Sequence, residues 1–165
     1  GTVIQVVESS PNLAGVGSTS TSSSFIHMLS GTITPSSTSS KILLQANIML
    51  RASKISSGGY DSATVVANIN RLAADGSTAW QALSGQGQAP QGVNSGAPDS
   101  NASHGWTVRR NDTGNIYGGG VVTISRIDYP ASTDALVYDI VGRMVDSATQ
   151  WSFYGGTLVM QEIAG

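Results

Sequence analysis

The fold is decided by one stretch, which reads KILLQANIML at residues 41–50. Every second residue in it is apolar, and most of the residues between are polar or charged. This period of two is typical of a β-strand that turns one face toward a core and the other toward solvent. The five apolar positions on the predicted core face are Ile42, Leu44, Ala46, Ile48 and Leu50.

Related patterns on both sides of this stretch predict further strands, separated by turn sequences rich in Gly, Pro, Ser and Asp. About eight short strands without a helix predict an all-β fold. We expect one domain over residues 1–165, an antiparallel β-sandwich of jelly-roll type. The predicted strand regions are Thr2–Val7, Phe25–Thr34, an Ala63–Trp80 hairpin turning at Asp75-Gly76, Val121–Tyr129, Ala135–Val145 and Gly156–Ile163, with a turn at Pro35–Ser40.

The composition agrees with this fold class. Only 11% of the 165 residues are charged, whereas about 25% is usual in soluble domains. Lys and Glu, which commonly decorate helix exteriors, occur twice each, while glycine occurs 20 times. Such a chain disfavours helices and predicts a neutral, polar surface.

Charge and cysteine content exclude several classes of partner and site. The net charge is −2, and no basic cluster is longer than Arg109-Arg110, so we predict no nucleic-acid partner. The absence of cysteine excludes disulfides and thiolate metal sites. No apolar run approaches the roughly 18 residues that span a bilayer, so we predict no membrane insertion.

A long Gly-, Asn- and Gln-rich segment, Gly85–Gly120, is predicted to be an inserted loop. Loops of this length inside a compact domain are usually functional or are ordered by a neighbouring chain. Its aromatic rings and hydrogen-bonding groups suit a sugar, which presents apolar ring faces and hydroxyls. The alternative is that Trp106 and Tyr117 only pin the loop to the sandwich. The candidate binding residues are Trp106, Tyr117, Asn101, Asn111, Asp112 and Arg109.

Catalytic and metal-binding patterns are weak. His27 and His104 coexist with many Ser and Asp residues, but no Gly-x-Ser-x-Gly motif occurs, and His27 lies in a strand pattern where a hydrogen-bonded structural role is commoner. Asn111–Asn115 places oxygen atoms around a turn, as calcium prefers, but lacks a second acid at calcium-loop spacing. We therefore predict no catalytic residue, no metal and no cofactor.

Several phrases resemble a known family. They are the opening Gly1–Val7, the phrase ITPSSTSSKIL at residues 33–43, the pair of strands around Asp128–Thr133, and the ending Met160–Ala164. These phrases resemble the C-terminal head domain of tail fibres and related structural proteins of tailed bacteriophages, common among phages of marine bacteria. The chain departs from the family in the Gly85–Gly120 insertion and in its three tryptophans.

This resemblance implies a homotrimeric β-sandwich head at the tip of a virion tail fibre, exposed outside the cell, without catalysis or cofactor. It would bind a glycan or an outer-membrane protein on the host surface. The rest of the fibre would precede Gly1. Two other functions stay open: a virion decoration or tail-assembly subunit, and a small polysaccharide depolymerase.

Apolar residues of the opposite parity also bear on assembly. Leu43 and Met49 lie beside the core positions Ile42 and Ile48, and Val137 and Val141 lie beside Leu136 and Ile140. A two-layer sandwich covers only one face of each sheet. The other face would then be covered by a second subunit or by the long loop, and the sequence leaves both possibilities open.

Overall fold

The structure, a computed structural model, consists of strands and their connections. It describes residues 1–10, 18–20, 26–55, 61–72, 80–81, 104–110, 115–144 and 149–165. The strands in chain order are β1 (Val3–Ser9), β2 (Ser18–Ser20), β3 (Ile26–Ile33), β4 (Lys41–Ile55), β5 (Asp61–Leu72), β6 (Trp80–Gln81), β7 (His104–Arg110), β8 (Asn115–Asp128), β9 (Leu136–Met144) and β10 (Thr149–Ile163).

The strands form two antiparallel sheets. Sheet A has the order β1-β10-β4-β8, and β2 pairs with the same β10 strand further along. Sheet B has the order β3-β9-β5-β6, and β7 also pairs with β5. The two sheets pack against each other, which confirms the predicted β-sandwich.

The core lies between the sheets and contains the residues that the period of two predicted. All five apolar positions of residues 41–50 are fully buried, and they join one cluster with residues of β5, β9 and β10. Trp151 is also in this cluster, in agreement with the packing role that is usual for a tryptophan beside a strand. Register explains the alternation, since paired residues of neighbouring strands share a face.

The two outer faces differ. On the outer face of sheet B, Val141 and the polar residues Asn70 and Asp139 are buried within the single chain. On the outer face of sheet A, Leu43 is only half-buried and Met49 is 52% exposed. Val141 is therefore covered in sheet B and Met49 is open in sheet A, whereas Leu43 and Val137 are both half-buried.

Some predicted boundaries were wrong. The predicted loop Gly85–Gly120 contains a whole strand, β7, and the first six residues of β8. A run of three glycines, 118–120, has low strand propensity, but β4 extends to Ile55 and pairs with this part of the chain. The last strand likewise begins at Thr149 instead of Gly156. The predicted 63–80 hairpin is confirmed by the pairing of Leu72 with Trp80, while its turn at 75–76 lies outside the described residues.

Candidate interaction surface

The six candidate binding residues fall on two strands and on undescribed segments. Trp106 and Arg109 lie on β7, where Trp106 pairs with Val65. Tyr117 lies on β8 and pairs with Ser53. Asn101, Asn111 and Asp112 lie outside the described residues, as do the side chains of the other three. Strands β7 and β8 belong to different sheets but lie against each other at one edge of the sandwich.

The exposed apolar side chains point to a different surface. In the described part of the chain, seven large hydrophobic residues are exposed. Six of them lie on strands of sheet A, and the seventh directly follows the end of β8. Scattered single exposures are ordinary, but a group on one sheet face marks an interaction site. The seven residues are Val3, Ile4, Val6, Met49, Val121, Ile127 and Tyr129.

Most of these residues form one group, which we call the basal patch. Cross-strand pairing brings the members of four neighbouring strands into adjacent rows. Four strands about 4.8 Å apart and three residues about 3.3 Å apart cover roughly 200 Å², and Gln161 of β10 lies inside this area between Val6 and Leu43. The basal patch consists of Val3, Ile4 and Val6 of β1, Leu43 of β4, Ile127 of β8, Ile163 of β10, and Tyr129.

The patch lies at the end of the sandwich that carries both chain termini, which we call the basal end. Ala164 N–H donates a hydrogen bond of 2.9 Å to the carbonyl of Thr2. The ammonium of Lys41 stands 5.7 Å from the centre of the Tyr129 ring, a distance typical of a cation–π contact. Lys41 is thus a charged residue within the patch, and Gln161, which pairs with both Val6 and Leu43, is a second polar residue there.

Polar residues separate the basal patch from the far end of the same sheet face. Asn47 accepts a hydrogen bond of 2.8 Å from the Thr123 hydroxyl, and Gln45 pairs in register with Ser125. Beyond them lie Met49 and Val121. The outer face of sheet A is therefore divided into a basal apolar part, a polar middle and a second apolar part.

A buried carboxylate organises the basal end. Glu162 is fully buried and accepts four hydrogen bonds: from the Ser36 backbone and hydroxyl, the Ser40 hydroxyl and the Gln5 amide, at 2.6 to 2.7 Å. Burial alone would raise its pKa, but the hydrogen bonds from Ser40, Ser36 and Gln5 outweigh burial and lower the pKa of Glu162 to about 2. Glu162 is therefore ionised at neutral pH and fixes the turn at Pro35–Ser40.

A second buried carboxylate lies in the same row. Ile42 of β4 pairs with Glu162 of β10 on one side and with Asp128 of β8 on the other. Asp128 accepts hydrogen bonds from Arg71 at 2.5 Å and from the Tyr138 hydroxyl at 2.8 Å, which links the two sheets. Burial, and then the Asp128 carboxylate, raise the pKa of Tyr138 far above its ordinary value of 10.0. Both acids therefore have structural partners.

One pair of residues has the geometry of part of a catalytic site. His27 Nδ1 lies 2.5 Å from an oxygen of the buried Asp139, while the His27 side chain is 61% exposed. This confirms that His27 is hydrogen-bonded within a strand. A hydrolytic triad also needs a hydroxyl nucleophile on the other ring nitrogen. No such hydroxyl contact to His27 occurs within the described side chains.

The described ranges lack both a metal-binding cluster and a membrane-spanning helix. Those residues contain no group of three or more His, Asp or Glu side chains that could hold a metal ion. They also contain no helix long and apolar enough to cross a membrane.

Comparison with known proteins adds no relative. The sequence matches no protein-family model, and no curated protein matches it.

Proposed function

We propose that this chain is the non-enzymatic head domain of a bacteriophage tail fibre, located at the fibre tip, which forms a homotrimer and binds a receptor on the host cell. The observation that carries the proposal is the basal patch: an exposed apolar surface at the end of the sandwich where both termini lie. Among the described residues, sheet B carries none of the exposed large hydrophobic side chains, so sheet A is the face proposed for a partner.

The strand order supports a jelly roll as the underlying fold. With the short strands β2 and β6 set aside, the eight remaining strands pair first with eighth, second with seventh, third with sixth and fourth with fifth. A long antiparallel hairpin that rolls up into two sheets has this pairing. Jelly rolls of this kind build viral capsid and lectin domains.

The phrases that resemble the phage family meet at one place in the fold. Gln5 of the opening phrase and Ser36 and Ser40 of the ITPSSTSSKIL phrase all donate hydrogen bonds to Glu162 of the ending phrase. Asp128, at the start of the third phrase, lies in the same row of the sandwich. The resemblance therefore concentrates on the architecture of the basal end.

A second copy of the chain is the partner that best fits the basal patch. The patch is smaller than the largest apolar patch of a typical monomer, about 300–600 Å², so it would form only the apolar part of a larger interface of about 800 Å² per partner. The patch is bordered by polar residues such as Gln45 and Glu8, as expected of an interface core with a polar rim. A head-to-tail contact that closes into a ring gives three equivalent copies, with all termini at one end.

Receptor contact is assigned to the segment between β6 and β7 and to its neighbours. Trp106 and Arg109 lie on β7, which follows this segment, Tyr117 lies on the next strand, β8, and Asn101, Asn111 and Asp112 lie in the connections. Loops carry binding residues on a rigid scaffold because they tolerate change that the sandwich does not. A glycan or an outer-membrane protein would be recognised there through stacking and neutral hydrogen bonds.

The test is cell binding by the purified, fluorescently labelled chain on a panel of marine bacterial strains. A variant in which a short Gly-Ser linker replaces residues 86–100 keeps β7, which must stay because it pairs with β5. We expect the native chain to bind at least one strain, and the linker variant to keep the native oligomeric mass and lose binding. Retained binding by the linker variant would contradict a role for residues 86–100. Retained binding by a Trp106→Ala, Tyr117→Ala double variant would contradict the assignment to the neighbouring strands.

Two further outcomes would overturn the proposed function itself. Binding to virions that lack the chain, without binding to any cell, would make it a decoration or assembly subunit. Release of reducing ends from a bacterial polysaccharide would make it a depolymerase.

A further inference from the structure

A cavity lies on the outer face of sheet A, at the end opposite the basal patch. Its volume is about 410 Å³, within the range of about 300–1,000 Å³ that is usual for small-molecule sites. From Leu43 to Arg51 the strand rises about 26 Å, so the cavity is well separated from the basal patch. We call it the distal pocket; its lining residues are Met49, Leu50, Arg51, Gly118, Gly119 and Tyr154.

The floor of the distal pocket exists because β8 carries glycines there. Gly118 and Gly119 pair with Ala52 and Arg51 of β4. A Cβ atom on Gly119 would lie 2.6 Å from the carbonyl oxygen of Leu50, so a side chain does not fit without moving the backbone. Glycine inside a strand costs about 0.5–1 kcal/mol relative to alanine. It often marks a place where a ligand approaches the backbone closely.

One wall of the pocket comes from an irregularity in β10. The pairing with β4 shifts between Phe153 and Gly155, which leaves Tyr154 as an extra residue. Such bulges re-aim side chains and are over-represented next to functional sites. The Arg51 guanidinium donates a hydrogen bond of 3.2 Å to the Tyr154 hydroxyl, which fixes the two side chains relative to each other.

The chemistry of the lining selects an anion attached to an apolar ring. Arg51 supplies the positive charge, and none of the six lining residues is acidic. A guanidinium presents a planar fork of N–H donors that matches a carboxylate. The Tyr154 ring and the exposed Met49 thioether supply apolar surface of the kind that packs against the C–H face of a sugar.

We propose that the distal pocket binds a carboxylated sugar, with Arg51 on the carboxylate, Tyr154 and Met49 against the ring, and the Gly118-Gly119 backbone beneath it. The sugar part of this inference rests on the proposed function, because a fibre tip meets bacterial surface polysaccharides. The carboxylate part depends on Arg51 alone. The pocket is distinct from the β6–β7 segment to which receptor contact is assigned.

The test is a calorimetric titration of the purified full chain with methyl glycosides of galacturonic, glucuronic and N-acetylneuraminic acid. Each is compared with its own methyl ester, which keeps the ring and removes the charge. We expect at least one acid to bind about tenfold more tightly than its ester. Absence of binding to all three acids up to about 10 mM, or equal affinity for acid and ester, would overturn the proposal.

Two substitutions locate the binding. Arg51→Gln is expected to abolish the preference for the acid, whereas the matched change Arg126→Gln on β8, outside the pocket lining, is expected to keep it. Tyr154→Phe keeps both the ring and Arg51, so it is expected to retain most of the affinity for the acid. It serves as the second variant if Arg51→Gln does not fold, and loss of binding in it would contradict the proposed role of the ring. An unchanged preference in a folded Arg51→Gln protein would overturn the assignment. If only the sugar proposal is wrong, the chain binds cells but none of the three acids. If the proposed function is wrong, the chain does not bind cells.

Discussion

The hydroxyl of Ser40 donates a hydrogen bond of 2.6 Å to the carboxylate of Glu162, across 122 residues of sequence. Ser40 ends the turn after β3, and Glu162 lies one residue before the end of β10. Because Glu162 also holds Gln5 and Ser36, it connects the first strand, the first turn and the last strand. The basal end is thus built around one ionised acid, and its geometry sets the position of the basal patch.

Removal of this charge is expected to destabilise the fold. Glu162→Gln keeps the shape but replaces charge-assisted hydrogen bonds with weaker neutral ones. We expect a loss of about 2 kcal/mol in the free energy of unfolding, measured by urea denaturation at pH 7. Glu8→Gln is the matched control, since Glu8 is exposed on β1, and it is expected to change stability by less than about 0.5 kcal/mol. Equal effects would contradict the role of Glu162.

The same residue predicts a pH dependence. The folded-state pKa of Glu162 is lowered to about 2 from its ordinary value of 4.5. A lowered pKa means that the contribution is complete above pH 4.5 and is lost as the pH falls toward 2. The difference in unfolding free energy between the native chain and Glu162→Gln is therefore expected to shrink between pH 5 and pH 2.5. A constant difference over this range would show that the ionised carboxylate is not responsible.

Tyr138 predicts the opposite dependence at high pH. Its pKa is raised in the folded state, so its contribution is complete below its ordinary value of 10.0 and is lost as the pH rises above it. Tyr138→Phe is expected to cost about 1–2 kcal/mol at pH 8 and progressively less above pH 10. The measurement is urea denaturation at pH 8 and at a pH above 10, with Tyr129→Phe as the exposed control. A cost that does not fall above pH 10 would contradict burial of an un-ionised phenol against Asp128.

Glycine contacts between strands give a stability prediction with an internal control. A Cβ on Gly156 would approach the backbone oxygen of Asn47, whereas a Cβ on Gly31 would mainly meet the flexible end of Met160. Backbone does not yield easily, while a methionine side chain changes rotamer. We expect Gly156→Ala to cost more than about 2 kcal/mol and Gly31→Ala less than half of that, by thermal and urea unfolding. A larger cost for Gly31→Ala would contradict the pairing of β10 with β4.

The sequence predicted the sandwich because strands with one buried face keep a strict period of two, as residues 41–50 do. It predicted only brief strand-like pieces at 106–108 and 116–117 within the loop and missed the full extent of β7 and the continuity of β8, since the glycines at 118–120 resemble a loop and pair with β4. Local pattern also does not report pairing between distant segments. The Glu162 contacts with Ser36 and Ser40 and the Arg51–Tyr154 contact were therefore missed.

Some signals in the sequence did point toward these features. Glu162 continues the inward parity of Leu158 and Met160, an unusual place for an acid that calls for hydrogen-bond partners. The exposed face of sheet A was anticipated by Met49, an apolar residue of the wrong parity. The candidate residues on β7 and β8 remain predictions, since their side chains lie outside the described part of the structure.

Assembly through the basal patch is expected to fail when a charge is placed in it. Val6→Lys and Ile127→Lys each put an ammonium into the proposed interface, on β1 and β8 respectively, where desolvation of an unpaired charge is unfavourable. Val121→Lys is the control, because Val121 is 64% exposed on the same sheet face but outside the patch. We expect the first two variants to be folded monomers and the control to keep the native mass.

The most direct test of the account is the molar mass of the native chain, measured by light scattering after size exclusion. The account predicts a mass near three times 16.9 kDa, which Val6→Lys reduces to that of one chain. A native mass of 16.9 kDa at all accessible concentrations would contradict it, because the basal patch would then have no second copy to cover it.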